Sequence, residues 1–478
     1  MSLKLEKPKI ALTFIHRAEG VTAWPHAEFD YKQRKKELSE KFISNCPNID
    51  FVLFDAITID DANSIIAQKN EFDGFVVYLI GQTTVIPALI LNTGKPTVFT
   101  TDLYGGQGSF LLNRSWTRDA KLPVVGISTS NLEDVIDVTR LFSVKKRLSQ
   151  AKIILITDKD DPSFKRDSHP MYKSLFETTK YGSSGKTYDI QEQINKVKAI
   201  FGTEVIRMTF DDLFRYYDEA SIEKSEIIAD KWINEALRVI EPSREDIVKA
   251  ARMYIGIKEA MLEREADAIT IDCYRQFHRM PAYPCMTFFQ LNNEGLTGVC
   301  EADLHSSITQ LIERFLTEEM TGMPRPGLVS DPVIDLAKGS IIYAHCVATN
   351  KVFGPDAPGN PYIIRTHAES RSGVAIQSLM PTEELVTSMQ LHFTGESPTM
   401  VLHQGITVGN IDVEEGCRTK LVTKTNVENI MRNWNKDVEW VYPANWHRVT
   451  FYGDWRKQLT DFATLMGIHV INEDEALP

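Results

Sequence analysis

From Lys9 to about Gln150 the chain alternates short β-rich runs with amphipathic stretches. The series is KIALTFI, Tyr31 to Cys46, IDFVLF, Ala62 to Lys69, GFVVYLI, PTVFT, PVVGIST and a helix-like Asn131 to Leu148. Strands separated by helix-length segments cannot pair as hairpins, because each helix carries the chain back across the sheet. The pattern predicts an open parallel sheet with crossover helices. Such sheets place ligands at the carboxyl ends of their strands, where the loop Tyr104-Gly105-Gly106-Gln107-Gly108 falls.

A second α/β unit begins at AKIILIT, after the charged joint Lys145 to Gln150. It continues through EVIRMTF, helices over Ser221 to Ile240 and Arg244 to Glu265, DAITIDC, and a segment ending at Val299. Asp158 to Tyr188 is polar and too long for an ordinary connection, so it reads as a functional lid or a surface loop. After a helical Ser307 to Thr317, the Pro- and Gly-rich TGMPRPGLVSDP (Thr321 to Pro332) reads as a linker or domain edge. Beyond it SIIYAHCVA, YIIRTHAES, ELVTSMQLHF, TMVLHQGITVGNI, CRTKLVTKT and HRVTFYG follow with little helix between them. They predict antiparallel sheet, in a barrel-like arrangement, closed by one helix over Asp454 to Met466. The fold class is α/β: two Rossmann-like parallel-sheet domains, 1–150 and 151–325, then a β-rich C-terminal domain, 326–478. A chain of 478 residues fits three domains at about 150 residues each.

Composition narrows the partners. With 53 basic and 65 acidic residues the formal charge is −12, and no long basic run is present; nucleic acid and anionic membrane are therefore poor candidates. The most apolar window, Phe75 to Leu91, is broken by Gln82, Thr83, Thr84 and Pro87, short of the roughly 20 apolar residues a membrane helix needs. The start MSLKLEKPK lacks a secretory pattern, and the 6 cysteines form neither a disulfide framework nor a CxxC pair. A cytoplasmic protein is expected.

Gly182-Ser183-Ser184-Gly185-Lys186-Thr187 imitates a phosphate loop, but the required first glycine falls at Lys180 and no strand precedes it. GxSxG and HExxH patterns are absent. GVCEADLHSS (Gly298 to Ser307) is more informative. If its backbone is extended, Glu301, Asp303 and His305 point to one side of a strand end, which suits a hard divalent cation. The alternative is a helix capped by Asp303 with Glu301 solvated. In the β-rich part, His367 and Glu369 share a strand face, His345 ends the run SIIYA, and Pro443-Ala444-Asn445-Trp446-His447 sets a histidine among aromatics that either stack on a sugar or complete a core.

Taken together and in this order, CEADLHSSITQLI, AHCVATN, RTHAESRSGVAIQ and PANWHRVTFYGDWRKQLTDFATLMGI resemble the L-fucose isomerase and L-arabinose isomerase superfamily over most of residues 265 to 478. The resemblance implies that Asp303 and His447 bind Mn²⁺ or another divalent cation. The family's further glutamate falls near Pro284 and Cys285, where this chain has no carboxylate. That leaves Glu301, Glu369 or a thiol to take over, a weaker metal site, or loss of the family reaction; Glu301 is assigned as the replacement base, His367 and Glu369 hydrogen-bond sugar hydroxyls, His345 and Cys285 line the site, and Trp446 offers the ring an apolar face. The implied reaction is aldose to ketose isomerisation of an unphosphorylated sugar through an enediol, which needs a carboxylate base and an electrophile on two neighbouring oxygens. The rivals are a carbohydrate-binding or regulatory protein that keeps the fold, and an epimerase or lyase using the same cleft. The resemblance also implies a homo-oligomer, a trimer or hexamer, in which a neighbour's N-terminal domain covers the pocket.

Overall fold

Parallel pairing organises the first part of the chain. The computed structural model describes residues 6–157, 190–439, 441 and 444–476, so the Asp158 to Tyr188 segment, with its Gly182 to Thr187 run, lies outside the described residues. Strands β1 (Lys9–Ile15), β2 (Asp50–Ala56), β3 (Gly74–Leu79), β4 (Thr97–Thr101) and β5 (Val124–Ser128) form a sheet in the order β2-β1-β3-β4-β5. Each neighbouring pair is parallel. The central strand GFVVYL is buried at every position, as expected where helices cover both faces. Phe75, Val77, Ile90, Phe99 and Phe110 fill one core cluster. The expected helices at both ends of this region are present, at Tyr31–Asn45 and Leu132–Gln150.

The chain divides into two compact units, Met1–Arg147 with Lys457–His469, and Leu148–Arg456 with Val470–Pro478. The second unit holds another parallel sheet, built from β6 (Lys152–Ile156), β7 (Glu204–Met208), β9 (Ala268–Ile271) and β10 (Thr297–Cys300) in the order β10-β9-β6-β7. Between them, β8 (Arg238–Val239) departs from expectation. A helix was expected to run to Ile240, but it stops at Glu235. Beyond it, the Leu237 and Ile240 amides donate to the Tyr362 and Ile364 carbonyls at 2.8 and 3.1 Å. Pairing with a distant strand overrides local helical preference there.

The remaining strands close a barrel. They are β11 (Leu328–Asp335), β12 (Ser340–His345), β13 (Tyr362–Arg365), β14 (Ala375–Ser378), β15 (Leu385–His392), β16 (Thr399–Asn410), β17 (Thr419–Lys424), β18 (Arg448–Tyr452) and β19 (His469–Asn472). The order β15-β18-β11-β12-β17-β16 is completed by direct β15–β16 pairing, with β19 added beside β16 and a small sheet β14-β13-β8 alongside. All six barrel pairings are antiparallel. The fold is thus α/β with two parallel sheets and a C-terminal antiparallel barrel. Part of the stretch read as a linker is in fact β11. Its Pro332 is tolerated because β18 pairs only with Leu328 to Ser330, so no partner on that side needs the missing amide. No helix among the described residues is long and apolar enough to cross a membrane.

The helix Leu304–Thr321 is longer than the expected Ser307 to Thr317 and is buried through Thr317 except at Arg314. It carries Glu313, fully buried, with neither carboxylate oxygen hydrogen-bonded. Burial pushes this carboxyl well above its ordinary range, offset only in part by Arg325. A carboxyl whose folded pKa is raised stabilises the fold below its unfolded value, and that contribution is lost as pH climbs toward the folded one. Glu313→Gln is therefore expected to raise stability at pH 7 by about 1–3 kcal/mol and to flatten the loss of stability above about pH 4.5. Urea unfolding of both proteins at pH 4.5 and pH 7 measures this.

Candidate active site

The site grows from the end of β10. Directly after Cys300, Glu301 and Ala302 adopt left-handed backbone angles, φ 64° and 52°, a conformation that costs L-residues roughly 1–2 kcal/mol each. The Ala302 amide donates to the Ile271 carbonyl at the end of β9, 2.9 Å away. The extended backbone that would place Glu301, Asp303 and His305 on one face is therefore not what forms. The turn separates the three, and Asp303 becomes the N-cap of the following helix. His305 lies within that helix, buried against Phe393 with ring centroids 3.8 Å apart, and its Nδ1 contacts the Leu391 carbonyl at 3.0 Å.

Asp303 is surrounded by donors. The His305 and Ser306 amides donate to its Oδ1 at 2.9 and 3.1 Å, and the Ser306 hydroxyl and His447 Nδ1 donate to Oδ2, the latter at 2.8 Å. The aspartate from mid-chain and the histidine near the tail do meet, both buried. Burial alone would raise the Asp303 carboxyl, but the hydrogen bond and charge of His447 hold it well below the usual carboxylate range. Burial likewise opposes a charged His447, yet the Asp303 hydrogen bond and the charges of Glu301 and Asp331 push that ring up to about 9.

With Nδ1 committed to Asp303, His447 turns Nε2 toward the cleft. That nitrogen is buried without a hydrogen-bond partner, 3.9 Å from Glu301 Oε2 and 3.7 Å from Asp331 Oδ1. At the end of β12, His345 is buried, with its Nδ1 2.9 Å from the Cys346 amide and its Nε2 3.3 Å from Cys300 Sγ. Burial and the neighbouring His447 push His345 down to about 4. Glu301, His345 and His447 each present one ligand atom, all within 4.8 Å of one another. Asp303, expected as a ligand, is not in this cluster; it lies behind His447, where it fixes the ring's orientation and proton.

The other expected residues gather near the cleft in different settings. His367 packs edge-on against Phe277 and Tyr283, with centroids 4.7 and 5.9 Å away. Its Nδ1 lies 3.4 Å from Glu369 Oε2, and burial pushes it down to about 4. Glu369 is half-exposed, and burial with the charges of Glu301 and Asp331 raises its carboxyl. Trp446 is exposed beside His447. Cys285 opens the helix Cys285–Asn293 and belongs to the core with Cys273, Cys300 and Cys346; burial holds its thiol in the protonated form. Sequence reasoning missed Asp331, because the Pro-rich stretch around it concealed a strand, and it missed Cys300, whose contact with His345 has no spacing signal.

No family profile matches the chain. It is similar to proteins named sulfoquinovose isomerase from Priestia aryabhattai and Priestia megaterium, 25% identical over 286 residues, which is 57% of this chain and 58% of each of theirs. A protein of the same name from Alkalicoccus urumqiensis is 19% identical over 280 residues, 57% of this chain and 59% of its own. The chain therefore spans under three-fifths of the length of these relatives. A solved structure, the XylFII molecule, aligns with 66% of this chain and 94% of its own at 11% identity and a TM-score of 0.15, which carries no argument here. The similarity is to sugar isomerases and does not single out the L-fucose isomerase superfamily.

The Asp303–His447 contact generates a stability expectation of its own. Asp303→Ala removes a helix cap and leaves Nδ1 of a buried imidazole without its hydrogen-bonded carboxylate, so the protein is expected to lose about 3 kcal/mol. Denaturant midpoints of the two proteins under identical buffer measure it.

Proposed function

We propose that this protein is a divalent-cation-dependent aldose-ketose isomerase acting on an unphosphorylated sugar. The observation that carries the reading is the convergence of Glu301, His345 and the unpartnered His447 Nε2 within 4.8 Å, in a chain similar to sulfoquinovose isomerases. A carboxylate oxygen and two imidazoles suit Mn²⁺ or a similar divalent ion. Asp303 behind His447 is the carboxylate–histidine arrangement that directs a ring's free nitrogen at a metal. In this reading Glu301, His345 and His447 hold the ion, and Asp303 positions His447 rather than ligating.

A bound divalent cation supplies an electrophile for the two oxygens of the reacting carbons. The chain supplies the rest. With Glu301 assigned to the ion, proton transfer between the neighbouring carbons falls to Glu369, whose carboxyl burial and neighbouring charge raise toward the working pH of a general base. His367 at 3.4 Å steadies that carboxylate and, with Glu369, reaches sugar hydroxyls. Trp446, exposed next to His447, offers the ring an apolar face. The names of the relatives add a sulfonated aldose to the fucose- and arabinose-like sugars as substrate classes. We further propose that the barrel begins a third domain near residue 326, and that the protein works in the cytoplasm as a homo-oligomer.

Purified protein with Mn²⁺ in D₂O, given L-fucose, L-arabinose and sulfoquinovose in turn, is expected to place deuterium at C2 of one aldose and to form its ketose, both followed by NMR. His447→Ala is expected to lower that rate at least about 100-fold. Sugar binding without deuterium exchange would make the protein a carbohydrate binder, and exchange with a C2 epimer as product would make it an epimerase.

A further inference from the structure

The glycine-rich loop after β4 borders a cavity of about 380 Å³ in the N-terminal sheet unit. That volume falls within the roughly 300–1,000 Å³ of small-molecule sites. Phe29 and Arg34 reach it from the crossover after β1, Tyr78 from the end of β3, Asp102 and Tyr104 from the loop after β4, and Thr129 from the loop after β5. All belong to the unit that contains Met1–Arg147. In the order β2-β1-β3-β4-β5 the chain reverses its progress across the sheet between β1 and β3. The crevice opened by such a reversal, at the carboxyl ends of the strands, is where sheets of this kind hold ligands. Gly105 and Gly106 let the loop lie down on the end of β3. A Cβ at Gly105 would meet the Ile80 carbonyl oxygen at 3.1 Å, and one at Gly106 would meet Leu79 Cβ at 3.0 Å.

The polar part of the cavity carries two charges that cancel. Arg34 donates to Asp102 through Nε and Nη2 at 2.9 and 2.7 Å, and the Tyr78 hydroxyl donates to Asp102 Oδ1 at 2.9 Å. A carboxylate accepts about four hydrogen bonds and a guanidinium donates about five, so this pair, partly exposed, keeps both an acceptor and donors for a ligand. Tyr104 stands at the rim, 75% exposed, with its ring 6.4 Å from that of Trp24, which is exposed as well. Hydroxyls that both donate and accept, on a ring with apolar C–H faces, match this combination of a neutral polar pair and an aromatic rim. An anion is matched less well, because the charge of Arg34 is already met by Asp102. We propose that this cavity binds an uncharged monosaccharide, at a site complete within the N-terminal unit and separate from the cation cleft. The inference goes beyond the isomerase reading and requires neither the divalent ion nor turnover.

Saturation-transfer difference NMR on full-length protein held in EDTA tests it, with L-fucose, L-arabinose, D-glucose and D-xylose as uncharged probes and sulfoquinovose as the charged one. At least one uncharged sugar is expected to bind saturably without any divalent ion, and sulfoquinovose at least about 10-fold more weakly. Tyr104→Ala, which removes only an exposed ring, is expected to weaken the Kd of that sugar about 5-fold. Asp102→Asn is expected to weaken it roughly 10- to 100-fold. Circular dichroism melting establishes that each variant is folded, and Tyr104→Ala alone decides the matter if Asp102→Asn is not. Binding that both folded variants keep at wild-type strength, but that His447→Ala loses, puts the sugar in the cation cleft and overturns the inference. So does a protein that binds none of the uncharged sugars in EDTA. Sulfoquinovose bound as tightly as the best uncharged sugar overturns the ligand class.

Discussion

One buried hydrogen bond joins parts of the chain 144 residues apart: His447 Nδ1 to Asp303 Oδ2. Asp303 caps the helix that begins at Leu304 through Oδ1, and without the bond to Oδ2 the imidazole at the mouth of β18 would lose the carboxylate that orients it. The contact is costly to desolvate and strongly destabilising to break. The arrangement around it therefore supplies every oxygen of Asp303 with a donor. The same bond settles which nitrogen of His447 faces the cleft, so a structural requirement and a chemical one are met by a single pair of atoms.

Behind that pair lies a buried polar network beside the barrel's apolar core of Leu328, Ile341, Val386 and Leu421. Arg448, fully buried, donates to the His447 carbonyl at 2.9 Å and pairs with Glu473 at 2.6 Å. Glu473 also meets His403 Nδ1 at 2.9 Å, and His403 Nε2 meets the Tyr343 hydroxyl at 2.7 Å. Burial would lift the Glu473 carboxyl, but Arg448 and His403 hold it down to about 2. A fully satisfied network of this kind rigidifies what it supports. Here it supports the strand that carries His447.

The alternation of β runs and amphipathic segments predicted the parallel sheets because it reflects burial on both faces, a property each segment carries locally. The barrel was legible for the same reason, as repeated β runs without intervening helix. What the sequence concealed depends on distant partners. Arg238 and Val239 read as the end of a helix until β13 lies beside them, and Leu328 to Pro332 read as part of a linker because the tolerance for Pro332 comes from where β18 stops pairing. At the site, Asp303 and His447 were recognised as a pair through a family resemblance. Their roles could not follow from spacing, because two left-handed residues after β10 redirect the side chains. Asp331 had no local signature at all; only the register of three strands brings it to the cleft.

Closure of the barrel limits how another chain could attach to it. Where β15 joins β16 the ring closes on itself, and the four-residue β19 lies against β16, which β17 pairs with only from Ile406 to Asn410. A ring of this kind offers little template for strand addition by a stranger. Association through the barrel must then be negotiated by side chains, whose shape and charge can discriminate between partners in a way that an open peptide edge cannot.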